Sequence, residues 1–255
     1  MPGARYDAHT HTNFSDGRNT VAENVRAAEA CGLDCVAITD HFPEEGDWFP
    51  RMVAAVRLAD EKSSISVLTG IEATILNVDG DISLPEDCAA ELDLVLVDIG
   101  GRTQGLAVGA PSTRARTVDN LVSCLENVCH NPLVHVIAHP FSVGRLPQSL
   151  YLTDLPRSSL LRVADAMRET GTAFEIMNQM YWWFPEVPVT KVTRDYAGLV
   201  ALIAAEGVKF VLGSDAHSCC GVGNLDWAVQ VLRMAEVPGG QVVNLAKMGE
   251  QTEAT

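Results

Sequence analysis

Basic residues are scarce in this 255-residue chain: 18 Lys and Arg face 33 Asp and Glu, for a net charge of −15. Such a balance excludes the broad positive surface with which proteins hold nucleic acid or anionic membranes. A local basic pocket could still receive a small anionic ligand. There is no apolar run of the roughly 18 residues that mark a membrane-spanning helix. The opening Met1-Pro2-Gly3-Ala4-Arg5-Tyr6 has neither the charged nor the apolar part of a signal peptide, so a soluble, cytoplasmic protein is expected. Cys-x-x-Cys spacing is also missing. The seven cysteines, at 31, 35, 88, 124, 129, 219 and 220, are odd in number, which argues against a zinc ribbon or a redox dithiol. They are expected to be mostly buried reduced thiols, with Cys219 and Cys220 the exception because they closely follow His217. No internal repeat, charge block or low-complexity linker divides the chain, and a single domain over residues 1–255 is expected.

What is present is apolar: 47% of the residues are hydrophobic, enough for a sizeable core. β-rich apolar runs alternate with amphipathic helical runs, the pattern of a parallel sheet wrapped by helices. Seven strands are predicted, near 5–9, 35–39, 65–71, 93–99, 134–139, 172–177 and 208–213. Thr20 and Glu23 form a capping box for the first helix, Val21, Val25 and Ala28 give it an apolar stripe, and Gly32 ends it. Further helices are expected near 50–62, 117–129, 158–170, 190–206 and 224–235. Asp79-Gly80 reads as a turn and Pro85-Glu86 as a helix start.

At the ends of these strands sit short clusters of potential metal ligands: His9-Thr10-His11, Thr39-Asp40-His41, Gly70-Ile71-Glu72, Ala138-His139-Pro140 and Ser214-Asp215-Ala216-His217. Alternation along an extended chain places His9 and His11 on one face, about 6–7 Å apart in rise, so that both reach one ion. Asp215 and His217 have the same spacing. Strand ends converge at one edge of a parallel α/β fold, and a closed or nearly closed barrel gathers them better than an open sheet would. Several histidines with Asp16, Glu72 and Asp215 make a mixed nitrogen and oxygen set suited to Zn, Mn or Fe. Carboxylates can bridge two ions about 3.5–4 Å apart, and hydrolysis is the natural chemistry of such a centre.

These motifs, in this order, resemble those of the PHP (polymerase and histidinol phosphatase) superfamily. Tyr6-Asp7-Ala8-His9-Thr10-His11-Thr12-Asn13-Phe14-Ser15-Asp16-Gly17 is similar to its first motif. Ile38-Thr39-Asp40-His41, Gly70-Ile71-Glu72, Ile137-Ala138-His139-Pro140-Phe141 and Leu212-Gly213-Ser214-Asp215-Ala216-His217 are similar to later ones, so the resemblance spans about residues 5–220. It implies an α/β fold, a distorted (β/α)7 barrel, holding two or three divalent metal ions and hydrolysing phosphoesters. By the resemblance, His9, His11, Glu72 and Asp215 hold a first metal, Glu72 bridges to a second that His139 also binds, and Asp16, His41 and His217 hold a third. A metal-bridging hydroxide would be the nucleophile, with Asp215 orienting or deprotonating it. One position departs: the fourth strand, Leu92 to Gly100, ends in Gly100 where the family carries a metal-binding His. Asp98 faces the same way about 6–7 Å deeper, and His135 lies about 13 Å below His139.

Arg145, Arg194 and Lys191, with Arg102, are the candidate phosphate-binding cations. Glu175-Ile176-Met177-Asn178 resembles the family's Glu-Ile-Asn stretch with one residue more, which implies that Glu175 or Asn178 lines the pocket, and the aromatic run Tyr181-Trp182-Trp183 is expected either to stack on a substrate ring or to seal a lid. The leading expectation is a phosphoesterase acting on a small phosphorylated metabolite, with no nucleic-acid or membrane partner. A C–N hydrolase and a metal- or phosphate-binding module without turnover are the alternatives.

Overall fold

In the computed structural model, residues 5–42 and 48–245 are described. Seven parallel strands run in sequence order: β1 (Tyr6–Asp7), β2 (Cys35–Ile38), β3 (Ser66–Thr74), β4 (Leu94–Asp98), β5 (Val136–Ile137), β6 (Ala173–Met177) and β7 (Phe210–Gly213). The first and last also meet. The amide of Ala8 donates to Leu212 O at 3.0 Å, that of Asp215 to His9 O at 2.9 Å and that of His11 to Ala216 O at 2.9 Å. This seam closes the sheet into the distorted (β/α)7 barrel expected from the sequence. Helices pack outside it: α1 (Val21–Ala30), α2 (Trp48–Asp60), α3 (Glu86–Ala89), α4 (Arg114–Cys129), α5 (Arg157–Thr170), α6 (Val189–Ala205) and α7 (Asp226–Met234).

Strands covered on both faces read as continuous apolar runs, as in β4, where Leu94, Val95, Leu96 and Val97 are all buried. Each such side chain contributes roughly 1.5–3 kcal/mol. The buried face of α1 is Val21, Asn24, Val25 and Ala28. Thr20 and Glu23 cap that helix reciprocally, and Gly32, at φ +72°, closes a Schellman turn in which the Leu33 amide reaches Ala28 O at 3.0 Å.

Two boundaries differ from expectation in a way that bears on the site. β3 continues through Glu72 to Thr74, because the pairing of Glu72 with Leu96 and of Thr74 with Asp98 extends the ladder. α4 starts at Arg114, three residues early, because the Thr113 hydroxyl accepts from the Arg116 amide. The seven cysteines are all free thiols, yet only Cys35, Cys124 and Cys129 are buried, the others lying on helix ends and loops.

Candidate metal centre

The two-residue alternation of extended chain builds the site. In His9-Thr10-His11, Thr10 points away, its hydroxyl donating to Ala37 O at 2.7 Å. His9 and His11 point inward, with their Nε2 atoms 3.0 Å apart. His41 follows β2 and pairs with β3 by a bridge to Glu72. Asp40, facing the other way, accepts from the Thr12 amide at 2.7 Å, the Thr12 hydroxyl at 2.6 Å and the Ser15 hydroxyl at 2.6 Å, which pins the loop carrying Asp16. His139 and Asp215 sit at φ +30° and +54°, the left-handed region that costs a non-glycine residue roughly 1–3 kcal/mol. Both are held there by hydrogen bonds from their own amides, His139 to Glu175 Oε2 at 2.8 Å and Asp215 to His9 O at 2.9 Å.

Three ligand groups result among the described residues: His9, His11 and Asp215; His9, Glu72 and His139; and His11, Asp16, His41 and His217. Glu72 is their hinge. Its Oε2 lies 3.2 Å from His9 Nε2, 3.4 Å from His11 Nε2 and 3.0 Å from His41 Nδ1, and its Oε1 lies 3.2 Å from His139 Nε2. Asp215 Oδ1 lies 3.2 Å from His11 Nε2 and 3.6 Å from His9 Nε2.

Four donors at 2.0–2.1 Å from a tetrahedral ion stand about 3.3 Å from one another. Among His9, His11 and Asp215 the spacings run from 3.0 to 3.6 Å, so this set fits a divalent ion, and Glu72 Oε2 stands 3.2 and 3.4 Å from its two imidazoles. His11 Nδ1 and His139 Nδ1 are buried without a hydrogen-bond partner. The third group is more open, with Asp16 Oδ2 3.3 Å from His217 Nε2 and 3.7 Å from His41 Nε2, and with the side chains of Asp16, His41 and His217, though not His11, 40 to 56% exposed.

Electrostatically the ion-free site is a knot of opposite charges. Burial would drive a proton off His9, but Glu175, Glu72 and Asp215 outweigh it and raise its pKa well above the ordinary value. Burial opposes protonation of His41 as well, and the hydrogen bond and charge of Glu72 raise it to about 9. Burial would push Glu72 up, but His9, His139 and His41 bring it well below the usual range. Protonated imidazoles thus neutralise carboxylates where an ion would do so.

Groups with raised folded-state pKa stabilise fully below the unfolded value near 6.5 and lose that contribution as pH rises through the folded value. The metal-free protein is therefore expected to lose thermal stability between pH 6.5 and 9. Zinc-loaded protein is expected to gain it, since ligation needs the neutral imidazole. Melting curves with chelator and with zinc across that range check this; a metal-free curve that rises with pH contradicts it.

Supporting residues hold these ligands from behind, Glu175 being one of the two pocket candidates named from the sequence and Asp7 and Asn24 being missed by it. Glu175 is fully buried on β6, with Oε1 2.8 Å from His9 Nδ1 and Oε2 accepting from His139. It fixes the tautomer that leaves His9 Nε2 free to ligate. Its partner in sequence, Asn178, turns the other way: Oδ1 accepts from the Trp227 and Ala228 amides and caps α7. Asp7 accepts from the Ser214, His9 and Gly223 amides, and Asn24 donates to His11 O at 2.9 Å. A polar residue in the apolar stripe of α1, and an Asp inside a strand, are the sequence signals for the last two.

Among the candidate cations, Arg145 lies on the His139 side of the centre. Its Nη2 is 2.8 Å from Asp98 Oδ2, and its guanidinium lies 4.8 Å from the centroid of the Trp183 ring. Trp183 lies 6.2 Å from the His139 ring. Lys191 is paired with Asp195 and lies over Tyr151, and Arg194 is exposed on α6. Arg102 lies in the turn after β4. His135 sits at the far end of β5, where its Nδ1 accepts from the Val95 amide. Of the aromatic run, Trp182 is 65% exposed, Tyr181 packs on Trp227 at 5.4 Å, and only Trp183 faces the ligand groups.

A family model described as "PHP domain" matches residues 7–214. A protein named "probable phosphatase" from Caldanaerobacter subterraneus subsp. tengcongensis is 31% identical over 93% of this chain and 86% of its own length. Another of that name from Shewanella piezotolerans is 30% identical over 93% of this chain and 88% of its own length. The fold is similar to that of histidinol phosphate phosphatase from Lactococcus lactis subsp. lactis, solved with zinc, L-histidinol and phosphate. That likeness has a TM-score of 0.66 at 16% identity, covering 92% of this chain and 95% of the other.

Proposed function

This chain belongs to the PHP domain family, and on that premise we propose that it is a metal-dependent phosphoesterase acting on a small phosphorylated metabolite. The observation that carries the reading is the spacing of His9, His11 and Asp215, with Glu72 Oε2 against both imidazoles, which is that of donors around one ion. The chain works with two or three divalent ions, Zn, Mn or Fe being the ones its nitrogen and oxygen donors suit. His9, His11, Glu72 and Asp215 would hold the first, Asp16, His41 and His217 the third, and Glu72 with His139 the second. When bound, divalent ions lower the pKa of water toward neutrality and offset charge on a phosphoryl group.

The remaining work falls to the side chains. Asp215 stays ionised at neutral pH, because His9 and His11 outweigh the effect of its burial. Its carboxylate orients the attacking water and accepts its proton. Arg145 binds the substrate phosphate from the side of His139, and the exposed Asp16, His41 and His217 mark the face from which substrate enters. A net charge of −15 disfavours nucleic acid and anionic membranes as partners. No described helix is long and apolar enough to cross a membrane, and the small-metabolite reading places the protein in the cytoplasm.

The test is release of inorganic phosphate over a panel of phosphomonoesters and nucleotides, by protein stripped with chelator and then reloaded with Zn, Mn or Fe. Turnover is expected only after reloading, with phosphate as the product. Release of amine or ammonia from non-phosphorylated amides, without phosphate release from any ester, sinks the reading.

A further inference from the structure

We propose that in this chain Arg145, anchored by Asp98 and stacked on Trp183, takes the place of the second metal ion beside His139, so that the enzyme works with two ions and an arginine. The inference rests on the phosphoesterase reading and sharpens its metal count.

The donors set the first constraint. One imidazole nitrogen serves one ion, and both nitrogens of His9 are spoken for. Its Nε2 stands 3.0 Å from His11 Nε2 and 3.2 Å from Glu72 Oε2 in the first ligand set, and its Nδ1 is 2.8 Å from Glu175. What remains for a second ion is Glu72 Oε1 and His139 Nε2, 3.2 Å apart. Catalytic zinc sites have three protein ligands. Gly100 adds no donor, and the space before it is taken: a Cβ there would lie 3.0 Å from Thr74 Cγ2 and 3.3 Å from Asp98 Oδ1. Asp98 does not make up the deficit, since it belongs to none of the ligand groups among the described residues.

Asp98 binds a different cation. Its Oδ2 is 2.8 Å from Arg145 Nη2, with side chains 7% and 23% exposed, and the same Nη2 donates to Ile99 O. The guanidinium is clamped from the side by Trp183, whose ring stands 6.2 Å from that of His139. Through Trp183 the Arg145–Asp98 ion pair is connected to the His139 side of the centre. Among the described residues only Nη2 of Arg145 is engaged, which leaves N–H groups on Nη1 and Nε, either of which can donate to a phosphate oxygen.

Crystals of wild-type protein grown with zinc and measured at the zinc absorption edge test the metal half. Anomalous peaks are expected in the His9, His11, Glu72, Asp215 set and in the Asp16, His41, His217 set. A peak about 2.0–2.1 Å from His139 Nε2 overturns the inference. Calorimetric titration of zinc-loaded protein with inorganic phosphate tests the arginine half. Arg145→Met is expected to bind phosphate about 10- to 100-fold more weakly, as for loss of hydrogen bonds to a charged group. Arg145→Lys, which keeps a cation for buried Asp98, is expected to fall between. Equal affinity in wild type and Arg145→Met overturns it. Both readouts are independent of turnover, so a panel that yields no phosphate would end the phosphoesterase reading without touching them.

Discussion

Asp215→Ala is expected to lower kcat for phosphate release by about 10^3-fold or more while the barrel remains folded. The residue combines two duties that alanine cannot share. Its Oδ1 is 3.2 Å from His11 Nε2 and 3.6 Å from both His9 Nε2 and His217 Nδ1, so its loss opens the first ligand set and disturbs the third. It is also the proposed base, and general acid or base catalysis alone contributes typically 10²–10⁴-fold. The backbone complicates the comparison, because Asp215 has φ +54°, which alanine tolerates poorly and asparagine well. Asp215→Asn therefore separates strain from chemistry: it keeps an oxygen toward His11 and the left-handed turn, and loses the charge. Turnover of Asp215→Asn within tenfold of wild type, with metal content unchanged, would remove Asp215 from the mechanism. Phosphate release and metal content, read beside a melting curve, make the check.

A single methyl group at Gly213 is expected to do nearly as much from outside the ligand set. A Cβ at this position would lie 2.1 Å from Glu175 Oε1 and 2.6 Å from His9 Cβ, in a region where both residues are fully buried. Glu175 cannot swing away freely, because its carboxylate bridges His9 Nδ1 and the His139 amide. Gly213→Ala must displace that bridge or push β1 from β7. Overpacking of this kind costs about 1–3 kcal/mol, and loss of an outer partner to a metal-bound histidine costs typically 10- to 100-fold in metal affinity. Glu175→Gln should reproduce the affinity loss with less destabilisation, since an amide accepts at one end of the bridge but presents N–H to the other. Competition with a zinc-binding dye gives the affinities. Tight zinc binding by both variants would reduce Glu175 to a packing residue.

Much of this centre was legible in the chain because its ligands follow local rules. His9 and His11, or Asp215 and His217, share a face through strand alternation alone, and Thr20, Glu23 and Gly32 mark a helix by short-range hydrogen bonds. Residues whose meaning depends on a distant partner were not legible. Glu175 reads as one acidic residue in an apolar strand, and its value comes from His9, 166 positions away. Asn178, three residues on, looks equally suited to the pocket, and is turned to α7 by the α7 amides. Lys191 and Arg145 are both loop or helix-start cations in the sequence. Only the fold gives one to Asp195 and the other to Asp98 and Trp183.

Beside the gap at Gly100, which only the family resemblance marks, the sequence by itself determined the alternation of strands and helices and the ligand types at the strand ends. These are set by the period of the extended chain, by caps and by the chemistry of the side chains. The tertiary structure decided how the donors are shared out: that Glu72 meets four histidines, that His9 is held by Glu175, and that a guanidinium stacks on Trp183, whose ring faces His139. Barrel closure brings β1 against β7 and β4 against β5, and contacts a few ångströms long between residues more than a hundred positions apart exist only once it has occurred.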